Sequence, residues 1–407
     1  MSFYKQSNKI SWSLVSLYAL SIAGFPLVSA IPVLLGLESR PISVVYRAFI
    51  VCLSFVVLLY VGVIKKSLYI GRFWILMLYL WLIIILRLTW DSYFNSGIMV
   101  HPFNEYLLVM IGIGFIPMCA FFVQPNRDSL NTSFLCTLLL SIFTLVVLLY
   151  AATFVDPQYL VTGRLSTEVL NPISLGHLGV SVAILSMVFL HGRSSSGHLS
   201  QSALSYTFGV IGVCLGICVS IASISRGAIV SLVIVSSIYF VSSLKNAYKN
   251  LKTYFVVLTL ILTMSFIIYY FESETLIQQI SQLISASDFT EKSAALRTQM
   301  LRDGWDQFLN NPIVGSATVE LNTGDYPHNI VVESFMATGI IGGMLLLSII
   351  AISLRASWHL IRAGTGYNWV GLLYLQLLVA EMFSGSLFLG ASIWNYSAAV
   401  IAIDNTL

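Results

Sequence analysis

The chain has 407 residues, of which 57% are apolar and only 9% are charged. Soluble domains carry about 25% charged residues, so this composition excludes a soluble protein and makes lipid the solvent for most of the chain. The formal net charge of +3, spread over dispersed basic residues, argues against nucleic acid as a partner.

The apolar segments predict an all-α, polytopic integral membrane protein. A helix needs about 20 apolar residues to cross a bilayer, and about twelve segments of the chain qualify. In chain order they are 11–36, 44–64, 73–90, 104–123, 132–153, 172–191, 203–222, 227–243, 253–271, 331–353, 368–387 and 389–403. Together they predict a single transmembrane domain over residues 1–407.

Two places in this layout require a turn. A continuous helix over 203–243 would be about 60 Å long, twice the hydrocarbon thickness, so the chain is expected to turn at Ser223–Gly227. The last two segments are either one broken helix or a tight pair around Gly385–Gly390. The first segment follows Lys5 and Lys9 and is too long for the apolar core of a signal peptide, so it is expected to be retained.

The sequence predicts neither a disulfide framework nor a metal site. The five cysteines all lie in apolar runs. Cys214 and Cys218 would share a helix face, but no histidine or carboxylate is close to them in sequence. No cofactor is expected.

Basic residues predict the orientation, because lysine and arginine are enriched on the cytoplasmic side of membrane proteins. With the N-terminus inside, every lysine except Lys292 is cytoplasmic, and so is the C-terminus. One large periplasmic loop then covers 272–330. Within this loop, Ser293–Asn310 is expected to form an amphipathic helix on the membrane surface, which ends before Pro312.

The outward-facing arginines break this charge rule and are therefore the candidate functional residues. They are Arg40, Arg47, Arg164, Arg226, Arg297 and Arg302. Arginine binds phosphate bidentately and keeps its charge, so such a set near the outer surface would suit a lipid diphosphate. Arg40 and Arg47 are more simply explained as residues in the lipid headgroups.

Each remaining arginine has a structural alternative. Arg226 lies between two apolar runs, where it either binds an anion or snorkels to the surface. Arg164 is either a substrate-binding residue or an interfacial charge. Arg297 and Arg302 are five residues apart, so they point about 140° apart on a helix, and the alternative for one of them is a surface contact with Asp303 or Asp306. We favour Arg297 as the functional residue of this pair.

His328 is the candidate base. It ends the large loop at the mouth of the 331–353 segment, with Asn329 beside it and Glu333 more than one helical turn further on. An unperturbed histidine titrates near pH 6.5, so it can accept a proton near neutrality. Glu333 is expected to orient His328 or to cap the start of the helix.

These residues resemble a known family. Arg297, Trp305, Phe308, Asn311-Pro312 and Gly315, followed by His328-Asn329, Glu333, Gly339 and Gly342, are similar to the outer loop and following helix of the O-antigen polymerase and O-antigen ligase superfamily. Ser225-Arg226-Gly227 resembles the second arginine motif of that superfamily. Gly163-Arg164, followed by Asn171-Pro172, resembles a further family segment more loosely.

The resemblance implies a multi-pass glycosyltransferase in the bacterial inner membrane, acting at the periplasmic face. Its donor would be an undecaprenyl-diphosphate-linked oligosaccharide and its acceptor a glycan hydroxyl, with no nucleotide sugar and no obligatory metal. By this resemblance Arg226 and Arg297 would hold the diphosphate, and His328 would activate the acceptor. Arg164, Arg302, Asn329 and Glu333 are further substrate-binding candidates.

Three functions remain open at this point. The first is an O-antigen polymerase, which extends the chain on the next lipid-linked repeat unit. The second is an O-antigen ligase, which moves the chain to lipid A-core. The third belongs to another class, a polysaccharide or small-solute transporter, because about twelve spans also suit a transporter. Beyond the glycans and membrane lipid, a regulator of chain length is a partner that the sequence leaves open.

Overall fold

The computed structural model describes residues 10–94, 102–158, 163–195, 203–243, 288–364, 366–388 and 390–407. Thirteen α-helices occur in this part of the chain: α1 Trp12–Leu35, α2 Ser39–Val56, α3 Arg72–Phe94, α4 Phe103–Val109, α5 Ile116–Phe121, α6 Arg127–Tyr150, α7 Pro172–Ser195, α8 Ala203–Ala222, α9 Arg226–Ser243, α10 Asp288–Asn310, α11 Ile330–Ala363, α12 Asn368–Ser384 and α13 Ala391–Asp404. Short π-helical stretches extend α2 and α6 and connect α4 to α5.

Among the described residues, eight helices are long and apolar enough to cross a membrane, so the prediction of an all-α polytopic membrane protein is confirmed. They are Trp12–Leu35, Ser39–Ile64, Arg72–Phe94, Phe103–Phe121, Arg127–Val155, Pro172–His191, Ser205–Ala222 and Ile330–Ala363. The predicted segment 253–271 lies outside the described residues. The total of about twelve spans and the periplasmic position of the 272–330 loop stay predictions.

The predicted segments 227–243, 368–387 and 389–403 correspond to the shorter helices α9, α12 and α13, which have 18, 17 and 14 residues. The turn expected between 222 and 227 is present, because α8 ends at Ala222 and α9 begins at Arg226. The turn expected near Gly385–Gly390 also separates two helices, α12 and α13. At about 1.5 Å per residue, the 14 residues of α13 would extend about 21 Å.

The chain divides into two compact units, which are described separately. The first comprises 1–49, 125–284 and 359–376. In it α1 packs on α6, and α7 packs on α8. Helices α7 and α8 lie so close together that a Cβ on Gly179 would be 2.7 Å from the carbonyl oxygen of Gly216. Small residues at such a crossing let two backbones approach, which favours helix association in lipid.

The second unit comprises 50–124, 285–358 and 377–407. Its core includes α3, α5 and α13. The rings of Trp81 and Trp394 meet edge to face with centroids 5.8 Å apart, and those of Phe121 and Tyr396 are equally close. Aromatic contacts of this geometry contribute beyond the apolar area that they bury.

Helix α11 is broken at Gly339, whose backbone angles are φ 66° and ψ −163°. The turn after α10 packs into this break. There the N–H of Ile340 donates to the carbonyl of Pro312 at 2.8 Å, and the N–H of Ser316 donates to that of Met336 at 2.8 Å. Irregular backbone within a membrane-spanning helix is tolerated where such neighbours satisfy its polar groups. The turn after α10 therefore supplies hydrogen-bond partners for backbone groups that the break in α11 leaves without partners in the helix.

An ion pair on α3 holds the far side of this turn. Arg87 and Asp91 form a salt bridge one helical turn apart, and Asp91 is buried. The Arg87 guanidinium also donates to the carbonyls of Gly315 and Ser316, while Asp91 accepts the N–H of Thr318 at 2.7 Å. Because a charge within an apolar segment is costly unless paired, these contacts explain how α3 accommodates two charged residues.

Candidate functional site

A short polar loop leads to the candidate base in the second unit. Glu320 is buried, and its carboxylate accepts hydrogen bonds from the N–H groups of Asn322 and Thr323 and from the Thr323 hydroxyl. The chain then reaches His328, which has a left-handed φ of 56°. This backbone region is sparsely populated for residues other than glycine, and such outliers concentrate at functional sites.

The His328 ring is half-buried and contacts Tyr326, with ring centroids 4.5 Å apart. Burial lowers the pKa of His328, and the positive charge of Arg297 lowers it further, while Asp325 opposes this shift. The imidazole is therefore neutral near pH 7, which is the form that can accept a proton. Its Nδ1 atom is buried and has no hydrogen-bond partner in the described part of the chain.

Tyr326 is a residue that the sequence did not single out. Burial raises the pKa of Tyr326 to about 12, and the carboxylates of Asp325, Glu333 and Glu381 act in the same direction, whereas Arg297 opposes them. The phenol therefore keeps its proton near neutral pH and remains a hydrogen-bond donor. Its position two residues before His328 was the available signal, but an aromatic residue in a loop has no distinctive pattern.

Two of the predicted site residues bind the carboxyl end of α12. The amide nitrogen Nδ2 of Asn329 donates to the carbonyl of Met382 at 2.9 Å, and Nη1 of Arg297 lies 3.5 Å from the carbonyl of Phe383. The last carbonyls of a helix lack partners within the helix and favour nearby positive charge. The Oδ1 atom of Asn329 also accepts the N–H groups of Val331 and Val332, so Asn329 caps the start of α11.

Glu333 is fully buried in the first turn of α11 and binds the segment after α12. Its Oε2 accepts the N–H of Leu387 at 2.7 Å, and its Oε1 accepts the Ser386 hydroxyl at 3.2 Å. Nearby, Oε2 of Glu381 is buried and has no hydrogen-bond partner among the described residues. Arg297, Asn329 and Glu333 thus all hold residues 382–387 in place.

Helix α10 was predicted over 293–310 and is present over Asp288–Asn310. Its apolar residues do not share one exposed face. Met300 and Phe308 are buried in the protein, whereas Leu296, Trp305 and Leu309 are exposed. Arg302 is exposed on the same helix.

In the first unit, Arg226 is the first residue of α9, and its side chain is exposed. Its guanidinium makes no hydrogen bond or ion pair to another residue of the described ranges. A helix N-terminus carries partial positive charge. The guanidinium of Arg226 and the N-terminus of α9 therefore both contribute positive potential here, which favours anion binding.

Arg164 contacts the turn that precedes α9. Its Nε donates to the carbonyl of Ser223 at 3.2 Å, and its Nη2 donates to that of Ile224 at 3.3 Å. Further along, Asn171 accepts the N–H of Ser174, and Pro172 opens α7. The Asn-Pro pair therefore acts as a helix cap followed by proline in the first turn.

The described residues define a class of protein, a multi-pass helical membrane protein with candidate arginines in both units. In the second unit the charge of Arg297 acts on a histidine, His328. A protein-family model described as O-antigen ligase matches residues 211–347, about a third of the chain. This match, over residues 211–347, confirms the resemblance to the O-antigen polymerase and O-antigen ligase superfamily. No curated protein and no solved structure matches the chain.

The match also relates residues 211–347 to one class of enzymes. Proteins of this family are glycosyltransferase-like polymerases or ligases of lipopolysaccharide biosynthesis. Residues Arg226, Arg297, Asn329, His328 and Glu333 lie within the matched range. The partners of Arg297, Asn329 and Glu333, at 382–387, follow this range in sequence. The catalytic and substrate-binding roles of the seven predicted residues stay predictions.

Proposed function

We propose that the protein is an O-antigen polymerase. It transfers a glycan from an undecaprenyl-diphosphate carrier to a sugar hydroxyl of the next lipid-linked repeat unit, at the periplasmic face of the inner membrane. The observation that carries this proposal is the half-buried His328, whose ring centroid lies 4.5 Å from that of Tyr326 and whose pKa is lowered by burial and by the charge of Arg297. His328 and Arg297 combine a proton acceptor with a fixed positive charge.

The reaction follows from these two groups. The acceptor hydroxyl attacks the anomeric carbon of the donor sugar and passes its proton to His328. The bond between that carbon and the diphosphate oxygen breaks, and undecaprenyl diphosphate leaves with the bonding electrons. Arginine stabilises the charge that develops on the leaving group, because a preorganised cation requires no rearrangement during the reaction.

We assign the two diphosphate contacts to Arg297 and Arg226. Both carry guanidinium groups, whose planar fork fits phosphate oxygens. The charge of a lipid diphosphate is then met by side chains of the protein, so we propose that the reaction needs no metal ion. Arg302, which is exposed on α10, is a candidate for contact with the glycan or its carrier.

A ligase is the second candidate function, and the matching family model, which is described as O-antigen ligase, is compatible with either function. A ligase would use the same donor chemistry and differ in the acceptor, which would be lipid A-core. The two are separated by adding the purified protein to lipid-linked repeat units extracted from a strain that lacks this gene. Products longer than one repeat without lipid A-core support the polymerase, whereas elongation only when lipid A-core is added refutes it.

The residue assignments have their own test. Arg226→Lys, Arg297→Ala and His328→Ala should each abolish most of the polysaccharide made from the same substrate. Arg226→Lys is the sharpest of these variants because it keeps the charge and removes the fork. Arg40→Lys, the same change at an exposed arginine outside the proposed site, is the control and should stay active. Full-length product from all three variants would show the assignment to be wrong.

A further inference from the structure

The turn between α8 and α9 contains a strained residue. Ile224 has a φ of 48°, in the left-handed region. For a β-branched side chain this conformation is a genuine outlier, because the Cβ approaches the neighbouring carbonyl. Glycine is the usual residue at such a position after a helix. Something in the surroundings must therefore hold Ile224 in place.

The segment containing Arg164 holds it. The N–H of Leu165 donates to the carbonyl of Ala222 at 3.0 Å, and the Arg164 guanidinium donates to the next two carbonyls, those of Ser223 and Ile224. Three consecutive carbonyls at the end of α8 are thus satisfied by two consecutive residues. A positive charge at a helix C-terminus is also favoured by the helix dipole.

The turn is closed from its other side by α7. Gly176 lies so near that a Cβ there would be 3.0 Å from the Cβ of Ala228 and would overlap the Ser223 hydroxyl. After the turn, the hydroxyl of Ser225 lies 3.4 Å from the N–H of Ala228, and Arg226 opens α9 with an exposed side chain. The backbone conformation of Ile224 therefore sets the direction in which the exposed side chain of Arg226 projects.

We propose that Arg164 is a positioning residue that acts through the 222–225 turn and keeps Arg226 in its active orientation. This inference rests on the proposed function, in which Arg226 binds the donor diphosphate. The observed bonds of the Arg164 guanidinium go to backbone carbonyls of the turn, so we assign its contribution to the reaction to the turn. These bonds use two of the five N–H donors of the guanidinium, so direct diphosphate contact is the alternative that the experiment must separate from positioning.

A second-site rescue tests this inference. Arg164→Ala removes two of the three donors to the turn and should lower kcat/KM, since a displacement of about 1 Å in a reacting group can cost about a hundredfold. Ile224→Gly lets the turn adopt a left-handed φ without strain. The double variant, Arg164→Ala with Ile224→Gly, should therefore recover at least about tenfold of the lost kcat/KM.

Ile224→Ala in the Arg164→Ala background is the matched control. It removes most of the same side chain, but alanine keeps the Cβ that disfavours a left-handed φ, so it should not rescue. Arg164→Lys is a further variant, which retains a donor for one carbonyl and should keep more activity than Arg164→Ala. The assay is elongation of lipid-linked repeat units extracted from a strain that lacks this gene.

Two results would overturn the inference. One is an Arg164→Ala variant as active as the native protein. The other is a double variant no better than Arg164→Ala alone, which would place Arg164 in direct contact with the substrate. Thermal melting of each variant in detergent shows whether the protein is folded. A failure of the proposed function is recognised separately, because Arg226→Lys would then retain full activity whatever happens at Arg164.

Discussion

Substituting Gly339 with alanine should destabilise the second unit strongly. The φ and ψ of Gly339 fall in a region that is essentially restricted to glycine, which costs another residue about 1–3 kcal/mol. The new Cβ would overlap the carbonyl of Ile313 and lie 2.7 Å from the backbone nitrogen of Gly315. The turn must then move, and the hydrogen bond from Ile340 to Pro312 is lost, at about 1–3 kcal/mol for a buried polar group without a partner.

These effects together lower the free energy of unfolding by about 2–6 kcal/mol. At roughly 2–4 °C per kcal/mol, the middle of that range, about 4 kcal/mol, lowers the Tm by about 8–16 °C. The assay is thermal melting of the purified protein in detergent. Gly112→Ala is the matched control, because the nearest atom to its new Cβ would be a methyl carbon of Val51 at 3.5 Å. A Tm for Gly339→Ala equal to that of Gly112→Ala would refute this reasoning.

Three further predictions concern charged groups. Because His328 must be neutral to accept a proton and its pKa lies below the usual value near 6.5, kcat/KM should fall only below that pH. Asp325→Asn removes a charge that raises this pKa and should move the acid limb of the profile to lower pH; a shift to higher pH would contradict it. Asp91→Ala leaves the charge of Arg87 without its partner and should cost about 3–5 kcal/mol of stability, measured as a lower Tm, whereas an unchanged Tm would show that the pair contributes nothing. Glu333→Ala should speed hydrogen exchange after α12, because the N–H at 387 loses its acceptor, and unchanged exchange would exclude this role.

Much of the fold could be predicted because apolar length and helix breaks are local properties. The turn at 223–225 was predicted from the length of the 203–243 stretch, and the end of α10 was predicted from Asn310 to Pro312. The break within α11 was not predicted. Gly339 lies in a long apolar run, and nothing near it in sequence shows that a turn some 25 residues earlier supplies the missing hydrogen bonds.

The site was predicted less completely, because a sequence identifies residue types but seldom their distant partners. Glu333 was expected to orient His328 or to cap the start of α11, yet its side-chain hydrogen bonds go to residues 386 and 387. Arg164 was selected for its charge, and its bonds to the 223–224 carbonyls depend on a loop and a turn about 60 residues apart. Arg87 lies within the predicted 73–90 span, but its contacts with the 315–316 turn join elements more than 220 residues apart.

The hydrogen bonds from Arg297, Asn329 and Glu333 to residues 382–387 affect how the orientation of the protein in the membrane can be measured. Reporter fusions commonly replace everything beyond a chosen point in the chain. A fusion made after α11 would remove the partners of these three side chains and leave the buried carboxylate of Glu333 without a donor. Such a carboxylate is costly in an apolar segment, so the truncated protein could adopt a different topology from the complete one. Reporters inserted into exposed loops of the full-length chain would preserve these contacts and report the native orientation.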